Sequence, residues 1–433
     1  MRNVLRAVSL VTSMGAVTAS WAIGGSFIGN EVLSARSAGQ GYVGVAGQNE
    51  DPTAVFVNPA AMTSLPGTQV TVGITWENIH GGYKDNSGNE TKERVTNVGV
   101  PNFSITQSFM DGKLSAGLSS QSPFGLETYW PGNSPLRYVA TDSRLDLVDI
   151  TPAIAYQIHP KLSIGMGADY VNLFNATLNR AVATGGADGN SSLTGQGTSW
   201  GYHAGLIFKP FEQHSIGITY HSKVDLRVNG SVTLNGLSGI PGFLLGGSHY
   251  STSAYTDVVL PASLQLGYAF KPNDKWLLEV NAAWYDWASS RDINVRFPNA
   301  TPTELLVLNT GNPTPTNPRD AWSVNTGANY KVNDRWQVRS GFWYEPHALP
   351  ETTFSPAFMD LSRYGLAAGA GYALTSSFTI DAAYSAIFMH NRTINNNVGA
   401  NTSGIPTYNI NGTYSDFANI VAVNLTYKFG AGK

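Results

Sequence analysis

From Thr68 to Phe429 the chain alternates with period two between apolar and small or polar residues. Residues 378–388 show the pattern most clearly: Phe378, Ile380, Ala382, Tyr384, Ala386 and Phe388 share one parity, and Thr379, Asp381, Ala383 and Ser385 the other. Side chains of a strand point alternately to its two faces, so each such run has one greasy face and one small or polar face. Val70/Val72/Ile74/Trp76, Leu162/Ile164/Met166/Ala168/Tyr170, Trp200/Tyr202/Ala204/Leu206/Phe208 and Val421/Val423/Leu425/Tyr427/Phe429 repeat it. These runs exceed the ~5–6 residues usual for soluble strands and reach the ~9–11 needed to cross a bilayer obliquely. The greasy face is therefore predicted to meet lipid. Short connections such as Met110-Asp111-Gly112, His159-Pro160, Pro272-Asn273-Asp274 and Asn333-Asp334 alternate with long ones. Six short turns and seven long loops predict an all-β, fourteen-stranded antiparallel transmembrane barrel. Its even strand count brings the chain back to the side where it began. Closure follows because an open edge in hydrocarbon would strand backbone polar groups.

Residues 23–66 break the pattern. Gly24-Gly25, the run Ser34–Gly47 and Phe56–Met62 hold neither the strand nor the helix period and are dense in Gly and Ala. This stretch is predicted to be a hatch inside the lumen. Ahead of it, Arg2 and Arg6, an apolar run from Ala7 to Val17 and Ala19-Ser20-Trp21-Ala22 predict a signal peptide over residues 1–22. The division is thus leader 1–22, hatch 23–66 and barrel 67–433. Inward parity places Gly165, Gly167, Gly205, Gly217, Gly267, Gly341 and Gly369 on the lumen face, where small residues leave room for a hatch. The same alternation turns Asp169, His203, His221, Arg227, Glu279, Arg339 and Asp381 inward. Such groups serve either as polar packing against each other and the hatch, or, for Arg227 and Arg339, as anchors for a carboxylate.

Composition narrows the function. Charged residues make up 13% of the chain, against ~25% in a typical soluble domain. The net charge of -3 gives no basic footprint for nucleic acid. The absence of cysteine excludes disulfides and thiolate metal sites. The eight histidines are scattered, with no serine and acid grouped beside them, so neither catalysis nor a metal or other cofactor is expected. The long loops carry apolar clusters: Pro123-Phe124-Gly125-Leu126, Tyr129-Trp130-Pro131, Ile240 to Leu245 and Leu305 to Leu308. Exposed clusters of this kind mark either a groove for an apolar ligand or loops folded over one another as a lid. On the first reading Phe124, Leu126, Trp130, Phe243, Leu244 and Leu245 contact substrate.

Asn58-Pro59-Ala60, the small-residue run ahead of it, Ser122-Pro123-Phe124-Gly125-Leu126, Thr151 to Tyr156, Trp284-Tyr285-Asp286-Trp287 and Asp360-Leu361-Ser362-Arg363 ahead of Gly369-Ala370-Gly371-Tyr372 follow in an order that resembles the FadL/TodX family of outer-membrane transporters. The resemblance covers essentially the whole mature chain. It implies a monomer in the bacterial outer membrane, among lipid and lipopolysaccharide. Such a protein takes up hydrophobic molecules passively: captured at an outer groove, held in a lumen pocket and released sideways at a kinked third strand. Long-chain fatty acids are the expected substrate, and monoaromatic hydrocarbons the alternative. Arg180 falls near a family cation that contacts the ligand carboxylate, although strict parity points it outward unless a bulge intervenes. Two departures stand out: loop three, Thr184 to Gln196, is short and lacks an apolar cluster, and Gly430 to Lys433 follow the final aromatic. A general porin is the rival reading and needs an open, charged constriction, which the hatch and the few inward charges oppose. Any exposed loops can also acquire an adhesin or phage-receptor role. Strand three alternates only from Leu114 to Ser120, contains Gly117 and breaks at Pro123, which has no N–H to donate. The gate is expected there, with Asn58 satisfying the freed backbone, Pro59 stiffening the turn and Ala60 beside them.

Overall fold

A computed structural model describes residues 34–47, 51–290 and 292–429. The leader, hatch residues 23–33 and the four residues after Phe429 lie outside the described residues. The fourteen staves are β1 (Thr68–Ile79), β2 (Thr96–Phe109), β3 (Leu114–Gln121 continued by Gly125–Tyr129), β4 (Asp142–His159), β5 (Leu162–Val182), β6 (Gly189–Phe211) and β7 (His214–His221 continued by Val224–Asn235). They continue with β8 (His249–Leu260 and Ser263–Asn273), β9 (Trp276–Tyr285), β10 (Ala321–Lys331), β11 (Trp336–Glu345), β12 (Arg363–Ala373), β13 (Phe378–Met389) and β14 (Phe417–Phe429). Each pairs antiparallel with its neighbour in sequence, and β14 returns to β1 from Thr68↔Phe429 to Ile79↔Ala418. The wall is therefore closed, as the alternation predicts. Outward apolar side chains such as Ile164, Trp200, Leu266, Phe342 and Tyr384 are exposed, which is the state of a surface meant for lipid rather than water. Loop three departs from expectation. Residues 189–196 are strand, so β5 and β6 run on as a tall hairpin, and β4, β7 and β8 stay paired beside it.

The hatch fills the lumen. Its short helices α1 (Ala35–Gly39) and α2 (Ala54–Val57) and the 3-10 turn Pro59–Ser64 are almost wholly buried. The lumen glycines are where it rests on the wall. A Cβ at Gly165 would sit 2.5 Å from Ala60 N, one at Gly267 2.8 Å from Ala46 N and one at Gly369 2.9 Å from Gly39 Cα. At Gly205, Gly217 and Gly341 it would run into the Asn58 carboxamide, the Val45 carbonyl and the Gly41 backbone. Gly167 instead makes room for the ring of His203. Polar groups complete the seat: Glu279 accepts from Ala46 N at 3.1 Å, Asn325 donates to Gly41 O at 2.9 Å and Ser215 to Ala46 O at 2.7 Å. Above the barrel, loop strands Gly82–Asp85, Glu90–Lys92, Arg392–Ile394 and Gly412–Ser415 form a four-stranded sheet. Its Tyr83 and Tyr414 pack with Trp130, Trp343 and Phe354 into a buried cap.

A closed ladder resists detergent, so unboiled protein should run faster than boiled on a detergent gel; equal mobility would count against the barrel. Gly217→Val should keep that mobility difference, because the backbone on both sides is unchanged, yet lift the hatch off β7 and introduce an ion leak in planar bilayers. An unchanged conductance would mean that the contact with Val45 does not seat the hatch.

Candidate functional site

The wall is interrupted between β2 and β3. Their ladder stops at Phe103↔Ser120, whereas β2 stays paired with β1 as far as Thr96. Residues 122–124 leave the sheet, and the upper half of β3 pairs with β4 alone among the described residues. Pro123 and Pro101, one on each side of the break, lack the N–H a ladder requires. At the top, Tyr129 closes the opening: its N donates to Glu93 Oε1 at 2.8 Å and its carbonyl accepts from Arg94 N at 3.0 Å. The result is a window in the wall.

Two apolar cavities lead to it. The inner one, about 170 Å³, is lined at the break by Phe124 and Leu126, and elsewhere by Leu145, Leu147, Val228, Leu260 and Trp287. Phe124 stands edge-on to Trp287 at 6.3 Å. The outer groove, about 310 Å³, lies between α3 (Gly239–Leu244) and α4 (Pro302–Leu308) and takes in Leu244, Leu306, Phe297, Tyr138 and Arg180. Leu178, Leu193, Ile293, Val295 and Phe358 line both, so the two cavities adjoin across a shared wall. Leu245 is buried under α3 as its footing, and Phe243 is 84% exposed, outside either cavity.

The predicted cations separate. Arg180 faces the groove because β5 carries a bulge between Leu173 and Ala176, which reverses inward parity for the rest of the strand. Its Nη1 donates to Thr402 O at 2.7 Å and its Nη2 to Thr310 O at 2.8 Å, and among the described residues no carboxylate pairs with it. Arg227 does not face the lumen. The break in β7 at Ser222-Lys223 also reverses parity, turning Leu226 and Val228 inward and leaving Arg227 exposed on Asp257 at 2.8 Å. Arg339 faces inward as expected, but at the periplasmic side of the hatch, where it pairs with Asp381 at 2.7 Å beside Arg36. It lines a polar vestibule of about 620 Å³ and neither apolar cavity. Trp130, expected at the substrate groove, is instead fully buried in the cap, with Nε1 donating to Pro356 O at 3.0 Å.

The hatch residues are placed just as specifically. Asn58 Nδ2 donates to Val45 O at 2.7 Å and, at 3.3 Å, to Leu206 O of β6 and Ile218 O of β7. Its bonds thus seat the hatch on β6 and β7, where backbone at the break in β3 was expected. Pro59 and Ala60 rest on Gly165. Gly117 lies below the window and meets Val55 and Met62 of the hatch. Between the inner cavity and the hatch is a polar floor of Asp149, Thr151, Asp169, His203 and His221. The last three bring their ligand atoms within 4.8 Å of one another. The two rings are nearly parallel, at 11°. An ion sits in the plane of each imidazole that binds it, and parallel planes do not converge on one ion.

The family model described as outer membrane protein transport protein (OMPP1/FadL/TodX) matches residues 15–429. The long-chain fatty acid transport protein of Salmonella typhi is 22% identical over 411 residues, covering 88% of this chain and 91% of its own. Two solved structures share the fold. The first is a Pseudomonas aeruginosa FadL homologue, with TM-score 0.80 and 21% identity over 93% of this chain and 100% of that one. The second is the P. putida toluene transporter TodX, with TM-score 0.70 and 20% identity over 92% and 98%.

Two buried acids, Glu93 and Asp416, lie at the upper rim of the window and in the cap beside it. Burial, together with the repulsion of Asp416, pushes the Glu93 carboxyl well up, and burial raises Asp416 to about 7. The folded state therefore favours the neutral acids. Their contribution to stability is fully present below the ordinary carboxylate range of about 4 and is lost as pH rises through the raised values. Limited proteolysis of the cap should accordingly speed up as pH rises from acid toward about 7, and Asp416→Asn should flatten that dependence. A profile that Asp416→Asn leaves unaltered would place the titrating group elsewhere.

Proposed function

The chain belongs to the OMPP1/FadL/TodX family of outer membrane transport proteins, and on that premise we propose that it takes up long-chain fatty acids, held head-out at Arg180 and released sideways through the window between β2 and β3. Transport of hydrophobic substrates across the outer membrane is the activity of the family, which consists of channels and not enzymes. The observation that carries the choice of substrate is the inward turn of Arg180. A guanidinium has five donors, and two loop carbonyls engage Arg180, leaving three for a ligand carboxylate in a mainly apolar groove. The alkyl chain then follows the shared wall of Leu178, Leu193 and Phe358 into the inner cavity.

Energetics favour a sideways exit. Each CH₂ kept out of water is worth ~0.8 kcal/mol, so passage from an apolar cavity into the bilayer runs downhill, whereas the route down the lumen crosses a polar floor and a hatch. Asn58, Pro59 and Ala60 serve in this reading as the seat of the hatch. Neutral aromatic hydrocarbons, the cargo named for TodX, would need the cavities but not the cation. Phe124, Leu126 and Leu244 are the apolar contacts common to both cargoes.

Arg180→Ala should weaken oleate binding roughly 10- to 100-fold, the equivalent of a charged hydrogen bond worth ~1.5–3 kcal/mol, and leave toluene binding near wild type. Equal losses would mean that Arg180 acts by holding the loops that carry Thr310 and Thr402. For the exit, Gly99→Cys with Gly125→Cys sets one thiol on either side of the window in a chain without other cysteines. Joining them with a bismaleimide should lower oleate uptake several-fold while binding at the groove persists. Undiminished uptake would sink lateral release.

A further inference from the structure

The periplasmic vestibule is distinct from both apolar cavities and opposite to them in chemistry. Seven cations line its 620 Å³, among them Arg36, Lys271, Lys275, Arg335 and Arg339, against three carboxylates. One of the three, Asp334, is taken up by Lys331 at 2.9 Å. A fourth, Asp381 behind the ceiling, is engaged by Arg339 at 2.7 Å and stands 3.7 Å from Arg36. Positive charge therefore remains in excess here, in a chain whose net charge is -3.

The ceiling also holds buried polar atoms without partners. Gln40 caps α1 of the hatch and is 1% exposed, and Arg339 of β11 is 4% exposed. Among the described residues Gln40 Nε2 and Arg339 Nε meet no acceptor, and Asn329 Oδ1 on β10 meets no donor. The three are neighbours. Asn329 pairs with Arg339 in the ladder, and Gly327 pairs with Gly341 one inward position away. The side chain of Gln40 lies over Gly327, where a Cβ would come within 2.9 Å of its Cγ, and its backbone rests on Gly341. All three residues line the vestibule.

Buried polar atoms are costly to leave unpaired. Two donors and one acceptor in a positive recess call for an anion that both accepts and donates. At neutral pH sulfate, carboxylates and phosphodiesters, lipid headgroups included, only accept. Inorganic phosphate keeps a hydroxyl. We propose that hydrogen phosphate binds at the vestibule ceiling, its oxygens accepting from Gln40 Nε2 and Arg339 Nε and its hydroxyl donating to Asn329 Oδ1, while the surrounding cations supply the field that draws it in. Gln40 belongs to the hatch, and Arg339 and Asn329 to the wall, so the bound anion bridges the two.

The test titrates the assembled barrel, in maltoside micelles free of phosphate, with inorganic phosphate by calorimetry at neutral pH and constant ionic strength, gel mobility confirming assembly. Saturable binding is expected, with sulfate roughly tenfold weaker, the difference of one charge-assisted hydrogen bond, and the diester glycerophosphocholine inert. Gln40→Leu removes one donor, and Arg339→Lys removes Nε while keeping a charge beside Asp381. Each should weaken phosphate roughly tenfold. Asn329→Leu should bring phosphate down to the level of sulfate. Because the anion bridges hatch and wall, saturating phosphate should also slow hydrogen exchange of the α1 amides several-fold in the unaltered barrel and not in Gln40→Leu. No saturable binding would mean that water fills the recess, and it overturns the site. Equal affinity for sulfate and phosphate overturns the assignment to hydrogen phosphate. Binding that neither Gln40→Leu nor Arg339→Lys weakens lies at the rim lysines and overturns the ceiling site, and binding that leaves α1 exchange unaltered overturns the bridge.

Discussion

A polypeptide in hydrocarbon has no water to satisfy its N–H and C=O groups, and the rest of this structure follows from that constraint. It requires the closed ladder from β1 round to β14, and it makes any interruption of the ladder costly enough to need a reason. The interruption at β2 and β3 is bounded below by the pairing of Phe103 with Ser120 and above by Tyr129 held between Glu93 and Arg94. Two prolines flank it, removing donors that would otherwise be left without acceptors. The break is thus built into the sequence as well as the fold.

The same constraint shapes the inside. A barrel of this size encloses more volume than its inward side chains fill, and the hatch occupies that space because the wall recedes to glycine at the points of closest backbone approach. Val45 at Gly217, Gly41 at Gly341 and Asn58 at Gly205 are contacts that alanine would already disturb. Hatch and wall are one packing problem, solved from both sides: bulk and carbonyls come from the hatch, and glycines and a few buried donors from the strands.

Period-two alternation made the strand count, the closed wall and the lumen glycines legible in the sequence, because a strand's faces are fixed by parity alone. Parity fails where a strand gains a residue. The bulge before Ala176 turns Arg180 inward, and the break at Ser222-Lys223 turns Arg227 outward, and neither irregularity has a local signature in a chain so rich in Gly and Ser. Parity also gives a face but not a height. Arg339 was assigned the correct face, yet it sits on the far side of the hatch from the apolar cavities. Trp130 and Phe243 failed for a different reason: apolar loop residues look alike in sequence, and only packing of one loop on another separates a cap from a groove. Leu145 and Leu147 of the inner cavity carry no motif, and Trp287 stands out only within a family-like stretch, with nothing to mark it as a cavity wall. Inward leucines at the top of β4, against small residues lower down, were the signal available for them.

Height is what gives the lumen its direction. From the outside inward, the lining passes from a groove with one cation at its mouth, through leucines and valines, to Asp149, Asp169, His203 and His221, and then to the hatch. Under the proposed function, an amphipathic acid would enter such a gradient tail first, since its tail gains at every step until the floor, while its head stays with Arg180. At the floor the next step down would strip the tail of apolar contacts and break ion pairs in a buried site, where unpaired charge is most costly. The window opens at the level of Phe124 and Leu126, above that floor. The polar knot therefore has two effects from one position: on the proposed route it ends the downward path, and it bonds the hatch segment that stands behind the strand where the wall is open.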